Sequence, residues 1–262
     1  IVRVEEGRPW SAYAGLTNAG TAATGRNRLF AGFNLGALPF ADHQLAYQFT
    51  IAPQALGQGE LFRVHSRRGY ASHALTYFVP LPDFAGARRK LTFQAYHVST
   101  FSDTGGPVTT ASRVANLNVE LATPMARVGG AVSILPEYYI RLDHKRRRDD
   151  TFFFNLPLAR NVTTVTQVGL GLRASFGGAA LGVETSGTSD VHVVAGRSSQ
   201  RGGAGGRHAY LGLEHSQTFL VSPGAAVALR FKGQVGRRGM PGTEYIGIGG
   251  ASTVRGYETN EV

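Results

Sequence analysis

The sequence predicts an all-β chain, a transmembrane, antiparallel, up-and-down β-barrel with about eleven strands present. Three observations carry this. Strict period-two alternation recurs about every 24 residues. Connections alternate between short turns and longer polar loops, as in barrels that cross a membrane by strands. One face of each strand is a clean apolar band, while the other mixes glycine with charge.

The clearest strand is "AVALRFKGQV", with Val227, Leu229, Phe231 and Val235 on one face and Ala228, Arg230, Lys232 and Gln234 on the other. In "QVGLGLRASF", Val168, Leu170, Leu172 and Phe176 oppose Gln167, Gly169, Gly171, Arg173 and Ser175. "QLAYQFTI" and "ANLNVEL" repeat the pattern. Similar stretches start strands near Trp10, Arg28, Gln44, Gly69, Lys90, Arg113, Ala131, Thr163, Ala179, His208 and Ala225. Connections after even-numbered strands are tight ("PLPDFAGAR", "FGGA", "SPGA"). Those after odd-numbered strands read as mostly long loops, among them "NAGTAATGRN", "ALGQGELFRVHS", "KRRRDDTFFFNLPLARN" and "SGTSDVHVVAGRSSQRGGAGG".

The face chemistry favours lipid outside and water inside. A soluble barrel keeps its interior apolar, whereas here the polar face carries small and charged residues together. Strands of about 9–11 residues match a tilted crossing of the bilayer core. Closure would also pair every backbone donor and acceptor, as lipid requires. The alternative is a soluble β-sandwich with one wet face, in which the Val227, Leu229 and Phe231 face would pack on a second layer.

Composition agrees. There are 35 Gly, 15 Phe and 10 Tyr in 262 residues, and only 17% are charged, which favours β structure with many turns. A net charge of +10 suits anionic lipid, nucleic acid or an acidic surface without choosing among them. The absence of cysteine removes disulfides, thiolate metal ligands and cysteine nucleophiles. No stretch is long and apolar enough for a membrane helix. "IVRVEEGRPW" has no leader pattern and reads as a strand already under way.

Enzymatic signatures are weak. "SDTGG" at 102–106 resembles half of an aspartic protease site, but one copy cannot supply two carboxylates, and Asp103 reads as a turn residue. The histidines, His65 and His73 included, lack metal-ligand spacing, and neither a phosphate-binding loop with lysine nor a serine elbow occurs. No catalytic residue, metal or cofactor is expected. The basic stretches "HKRRRDD" at 144–150 and "QRGGAGGRH" at 200–208 read as solvated loops on one side. Attraction to outer-leaflet lipid phosphates is the alternative, and nucleic acid a remoter one.

The end of the chain is different in kind. "GRRGMPGTEYIGIGGASTVRGYETNEV" follows the eleventh strand as a long loop with Gly249, Gly250, Val254, Arg255, Gly256 and Tyr257. Paired glycines allow close backbone approach, and arginine suits a planar pair with a carboxylate in a confined place. From spacing alone, an exposed turn remains open.

"GIGGASTVRGY" resembles the loop-six signature of outer-membrane barrels that carry POTRA domains. Among these it resembles the two-partner secretion transporters of the haemolysin activator and filamentous haemagglutinin transporter type. A second match lies in "EGRPWSAYAGLTNAGTAATGRNRLFAGFNLGALPFADHQLAYQF", where Asn18, Gly20, Thr24 and Gly25 fit that family's first-loop pattern. In the family, loop six follows the eleventh of sixteen strands, the position that the strand count assigns to "STVRGY".

The resemblance implies an outer-membrane pore of a Gram-negative bacterium, not an enzyme, working without a cofactor. It would pass a large unfolded exoprotein, such as a haemolysin or adhesin, from the periplasm to the cell surface. Residues 1–7 would end a periplasmic POTRA domain, and 8–262 would be a barrel, expected monomeric and incomplete on its C-terminal side. Arg255 would pair with an acidic residue of the inner wall, with Val254, Gly256 and Tyr257 shaping the loop tip. The basic lumen-facing residues Arg173, Arg230 and Lys232 would hydrate the passage and favour anions. Lipid and lipopolysaccharide would surround the barrel, and nucleic acid is not an expected partner. A membrane-protein insertion factor of the same superfamily, or a passive porin, are the alternatives.

Overall fold

In the computed structural model the strands form one antiparallel, 11-stranded sheet in which each pairs with its sequence neighbours, from β1–β2 to β10–β11. The structure describes residues 9–37, 40, 42–84, 86–180, 182–201, 203–222, 224–236 and 240–245. The strands are β1 (Trp10–Thr17), β2 (Arg28–Gly36), β3 (Gln44–Ile51), β4 (Gly69–Phe84), β5 (Ala87–Asp103), β6 (Val108–Pro124), β7 (Val132–Phe153), β8 (Leu156–Ala180), β9 (Val183–Gln200), β10 (Gly203–Ser222) and β11 (Ala225–Gly236). A short helix, α1 (Pro53–Gly57), follows β3, and no described helix is long and apolar enough to cross a membrane. This is the partial up-and-down barrel that the alternation predicts.

Register fixes the two faces. The pairs Val119↔Leu142, Leu142↔Val168, Leu170↔Val193, Val193↔Leu211 and Leu211↔Val235 put large aliphatics side by side on one surface. Leu142, Leu170 and Leu229 are each more than half exposed, whereas Asn118, Tyr139 and Gln167 on the other face are buried. Apolar side chains outward and polar ones inward is the inversion required when the outer solvent is hydrocarbon.

The outer ends of β7 to β10 depart from the sequence reading. Residues 144–153 and 156–161, expected in a long loop, continue β7 and β8 into a hairpin closed by Phe154 and Asn155, both at positive φ. Most of "SGTSDVHVVAGRSSQRGGAGG" likewise belongs to β9 and β10. The reason is solvent. Above a bilayer both faces are wet, so a strand loses its hydrophobic alternation while its ladder of hydrogen bonds persists.

Two connections at this same end are compact. In the β1–β2 loop the Arg28 guanidinium donates to the carbonyls of Gly25 (2.5 Å) and Asn27 (3.1 Å) and to Thr24 Oγ1 (2.8 Å), 4.4 Å from the Tyr70 ring centre. Gly25 sits at φ +80°, and a Cβ on Gly20 would collide with the Gly25 carbonyl, so this turn requires both glycines. The β3–β4 connection folds onto the outward face, where Ala55 and Val64 bury Ile51 and Ala71 beside Leu29, Phe49 and Phe101. Phe62 stacks on His73 at 4.3 Å. His73 donates from Nε2 to the Leu61 carbonyl (3.0 Å), leaving Nδ1 to accept from Tyr47 (2.7 Å).

Glu60 ties this connection together by accepting from the Ser66 amide (2.9 Å) and hydroxyl (2.6 Å). Burial alone would raise its pKa, but the hydrogen bonds from Ser66 and the His65 amide outweigh burial and hold the carboxyl below its usual value. The unfolded chain therefore binds the proton more tightly. The contribution is complete above the ordinary carboxylate pKa of about 4 and is lost as pH falls through the lowered folded value. Protease nicking of residues 58–68 should rise in that acid range, and Glu60→Ala should nick readily at neutral pH. Equal resistance at pH 3 and pH 7 would contradict the tie.

β1 and β11 each have one neighbour among the described residues, so the sheet has two bare edges. Such edges pair with other chains or aggregate. Residues 1–262 expressed alone should associate or need detergent; a cooperatively unfolding, detergent-free monomer in ultracentrifugation would refute this.

Candidate functional site

The inward face of β6 to β10 is a flat, polar wall. Tyr139 lies across Gly171 on the neighbouring strand, where a Cβ would collide with the phenol ring. His208 lies over Gly196 and His192 over Gly212 in the same way. Glycines thus let aromatic rings lie along the wall instead of standing into the lumen. This is a use of glycine in sheets that alternation alone does not reveal.

Arg173, on β8, is the hub of the wall. Its guanidinium sits 4.7 Å from the Tyr139 ring centre and donates to Glu137 (3.0 Å), Asp190 (3.2 Å) and both oxygens of Glu120 (3.3 Å each). Tyr139 donates to Asp190 at 2.9 Å, and Lys90 reaches Glu137 at 2.9 Å. Farther along, Asp143 accepts from Asn118 (2.6 Å) and Arg141 (3.1 Å). Planar, multidentate pairing of this kind holds side chains in place. It yields a charged but matched surface, suited to a wet passage.

Of the residues singled out from sequence, Arg173, Arg230 and Lys232 all lie on this inward face by register. Their surroundings differ. Arg173 is met by three carboxylates, Lys232 pairs with Glu214 at 2.6 Å, and Arg230 faces Ser216 near the bare edge of β11. Gly249, Gly250, Val254, Arg255, Gly256 and Tyr257 lie outside the described residues. Among the described residues no group of three histidine, aspartate or glutamate side chains gathers as a metal site.

What the sequence reading missed is Glu244, in the described stretch (240–245) between β11 and the loop-six motif. Its side chain is 4% exposed. One carboxylate oxygen accepts from Lys145 on β7 (2.8 Å) and from Thr243 (3.1 Å), the other from Gln167 on β8 (3.0 Å). The Glu244 carbonyl accepts from Gln234 on β11 (2.8 Å). Gln167 is held in turn by His208 on β10 (3.1 Å), and Met240 is buried nearby. The chain leaving β11 therefore folds onto the inward face and is fastened there by hydrogen bonds to β7, β8 and β11, with His208 of β10 behind Gln167. A single glutamate in a glycine-rich loop gives no signal by itself. The inward parity of Lys145, Gln167 and Gln234 could have suggested a partner.

Removing the Glu244 carboxylate strands a half-buried ammonium and a buried amide, at a cost of about 1–3 kcal/mol. Glu244→Ala should therefore speed amide exchange in residues 240–245 by roughly tenfold or more while leaving exchange in β7 and β8 unchanged. Unaltered exchange in the stem would show that the carboxylate does not fasten it.

A family model described as haemolysin secretion/activation protein ShlB/FhaC/HecB matches residues 1–262. Searches of curated proteins and of solved structures return no match. With an eleven-strand antiparallel sheet, an inverted face pattern and a loop stem fastened to the inward wall, the match over this span is coherent. The chain belongs to the haemolysin secretion/activation family of two-partner secretion transporters, which work in the outer membrane.

Proposed function

We propose that this chain forms the amino-terminal eleven strands of a pore in a Gram-negative outer membrane. The pore passes one large partner protein, unfolded, from the periplasm to the cell surface. In this reading residues 1–7 end a POTRA domain and residues 8–262 are barrel. The observation that carries the reading is the Glu244 clamp. It holds residues 240–245, which precede "GGASTVRGY" in the sequence, against the inward wall, and in this reading Arg255 meets its acidic partner on that side.

The chemistry of the wall supports it. An extended polypeptide presents amides and side chains of every kind, so a passage must avoid both apolar stickiness and a strong field of one sign. A glycine-flattened surface with arginines answered by carboxylates meets both needs. Arg255 fixes loop six inside the pore, and Val254, Gly256 and Tyr257 shape its tip.

Arg255→Ala in the full-length protein should leave outer-membrane insertion intact, read by heat-modifiable migration, while secretion of the partner falls by about tenfold or more, the scale of one lost charge-assisted contact. Undiminished secretion would reduce the arginine to a turn residue.

A further inference from the structure

The chain's excess positive charge is unevenly divided between its two faces. In "HKRRRDD" the side chains alternate, so Lys145, Arg147 and Asp149 turn inward while Arg146, Arg148 and Asp150 share the outward face with Leu142. On the outward face of β6 to β10 there are six arginines: Arg113, Arg146, Arg148, Arg160, Arg197 and Arg207. One carboxylate answers them. Asp150 accepts from Arg148 Nε (2.9 Å) and Arg160 Nε (2.6 Å) and lies 3.6 Å from Arg113. Arg146, Arg197 and Arg207 are exposed and make no hydrogen bond or ion pair among the described residues.

Two features make this more than a solvated basic surface. First, Arg113 is the direct cross-strand partner of Arg148, and Arg197 of Arg207. Like charges directly opposite one another destabilise a sheet unless an anion lies between them. Asp150 serves the first pair. No described carboxylate serves the second. Second, four of the six arginines keep a constant distance from the lipid-facing band: Arg113, Arg146, Arg197 and Arg207 lie four residues beyond Leu117, Leu142, Val193 and Leu211 on their own strands. At about 3.3 Å per residue and a tilt near 45°, that is roughly 9 Å above the hydrocarbon edge, in the headgroup layer.

We propose that this outward arginine row binds the phosphate groups of outer-leaflet lipid, with Arg197 and Arg207 sharing one phosphate and Arg146 taking its neighbour. The inference rests on the outer-membrane reading above and on the placement of the longer connections at the cell surface. Guanidinium forks match phosphate oxygens in pairs, and a phosphate between Arg197 and Arg207 turns a repulsive pair into a bridge. Acyl chains of the same lipid would lie along Leu142, Val193 and Leu211 directly below. A phosphate-bearing glycolipid such as lipopolysaccharide satisfies both halves of the surface at once.

The test uses the full-length protein in nanodiscs and compares retention of lipopolysaccharide with that of the same lipid after removal of its phosphates. Wild type should retain the phosphorylated form preferentially. Arg197→Gln with Arg207→Gln should weaken retention by about fivefold for each arginine removed, whereas the double lysine replacement should keep most of it. Neutralising the pair should also raise resistance to heat in lipid-free detergent, where the like charges have no bridge, and lower it in phosphorylated lipid. Equal retention of the two lipids, or wild-type retention by the glutamine variant, would overturn the proposal. If the double variant does not insert, Arg146→Gln, at an exposed and unpartnered site, reads the same preference. A wild-type protein that fails to enter bilayers refutes the pore reading; one that inserts without phosphate preference refutes this inference alone.

Discussion

Hydrocarbon offers no hydrogen bonds, and the rest of this structure depends on that constraint. A strand inside a bilayer must find both neighbours among other strands. The simplest route is a chain in which every strand turns back on the one before it, as the unbroken β1 to β11 order shows. The same constraint inverts the faces. Leucine, valine and phenylalanine become the outer surface, and tyrosine, asparagine, glutamine and the ion pairs become the interior. The high glycine count follows from it as well, because an interior lined with polar side chains needs places where rings can lie flat, as Tyr139 does over Gly171.

How much of this was legible in the sequence follows the solvent boundary. β1, β2, β3, β4 and β11 begin at the residues where alternation places them, Trp10, Arg28, Gln44, Gly69 and Ala225. There the apolar and polar faces see different solvents. β8 begins at Leu156, not Thr163, and β10 at Gly203, not His208. Those segments rise above the band, level with the stretch of β7 where both faces carry charge, Arg146 outward and Lys145 inward, and period-two hydropathy vanishes. Charge alternation was the residual signal: in "HKRRRDD" the ladder sends successive charges to opposite faces, although a hydropathy reading sees only a polar run.

Site residues divide similarly. Arg173 was legible because it interrupts a clear strand on the polar side. Its partners Glu120, Glu137 and Asp190 were not, since they come from β6, β7 and β9 and are brought together only by register. Glu244 was hidden for another reason. It lies in a segment without periodicity, and its meaning comes from Lys145 and Gln167, 99 and 77 residues away. Motif recognition pointed to the glycine, arginine and tyrosine of the loop beyond, while the fastening of its stem required three-dimensional contacts.

The placement of charge argues back to the passage itself. A net charge of +10 invites the expectation of a cationic lumen. Yet the inward Arg173 is outnumbered by the acids around it, Lys145 and Lys232 each have a carboxylate, and the uncompensated arginines of β6 to β10 face outward. For a pore that passes polypeptide, this division is coherent. A lumen of one sign would hold every segment of opposite charge and repel the rest. A matched lumen treats successive segments alike, and the arginines left without a carboxylate stand on the outward face instead.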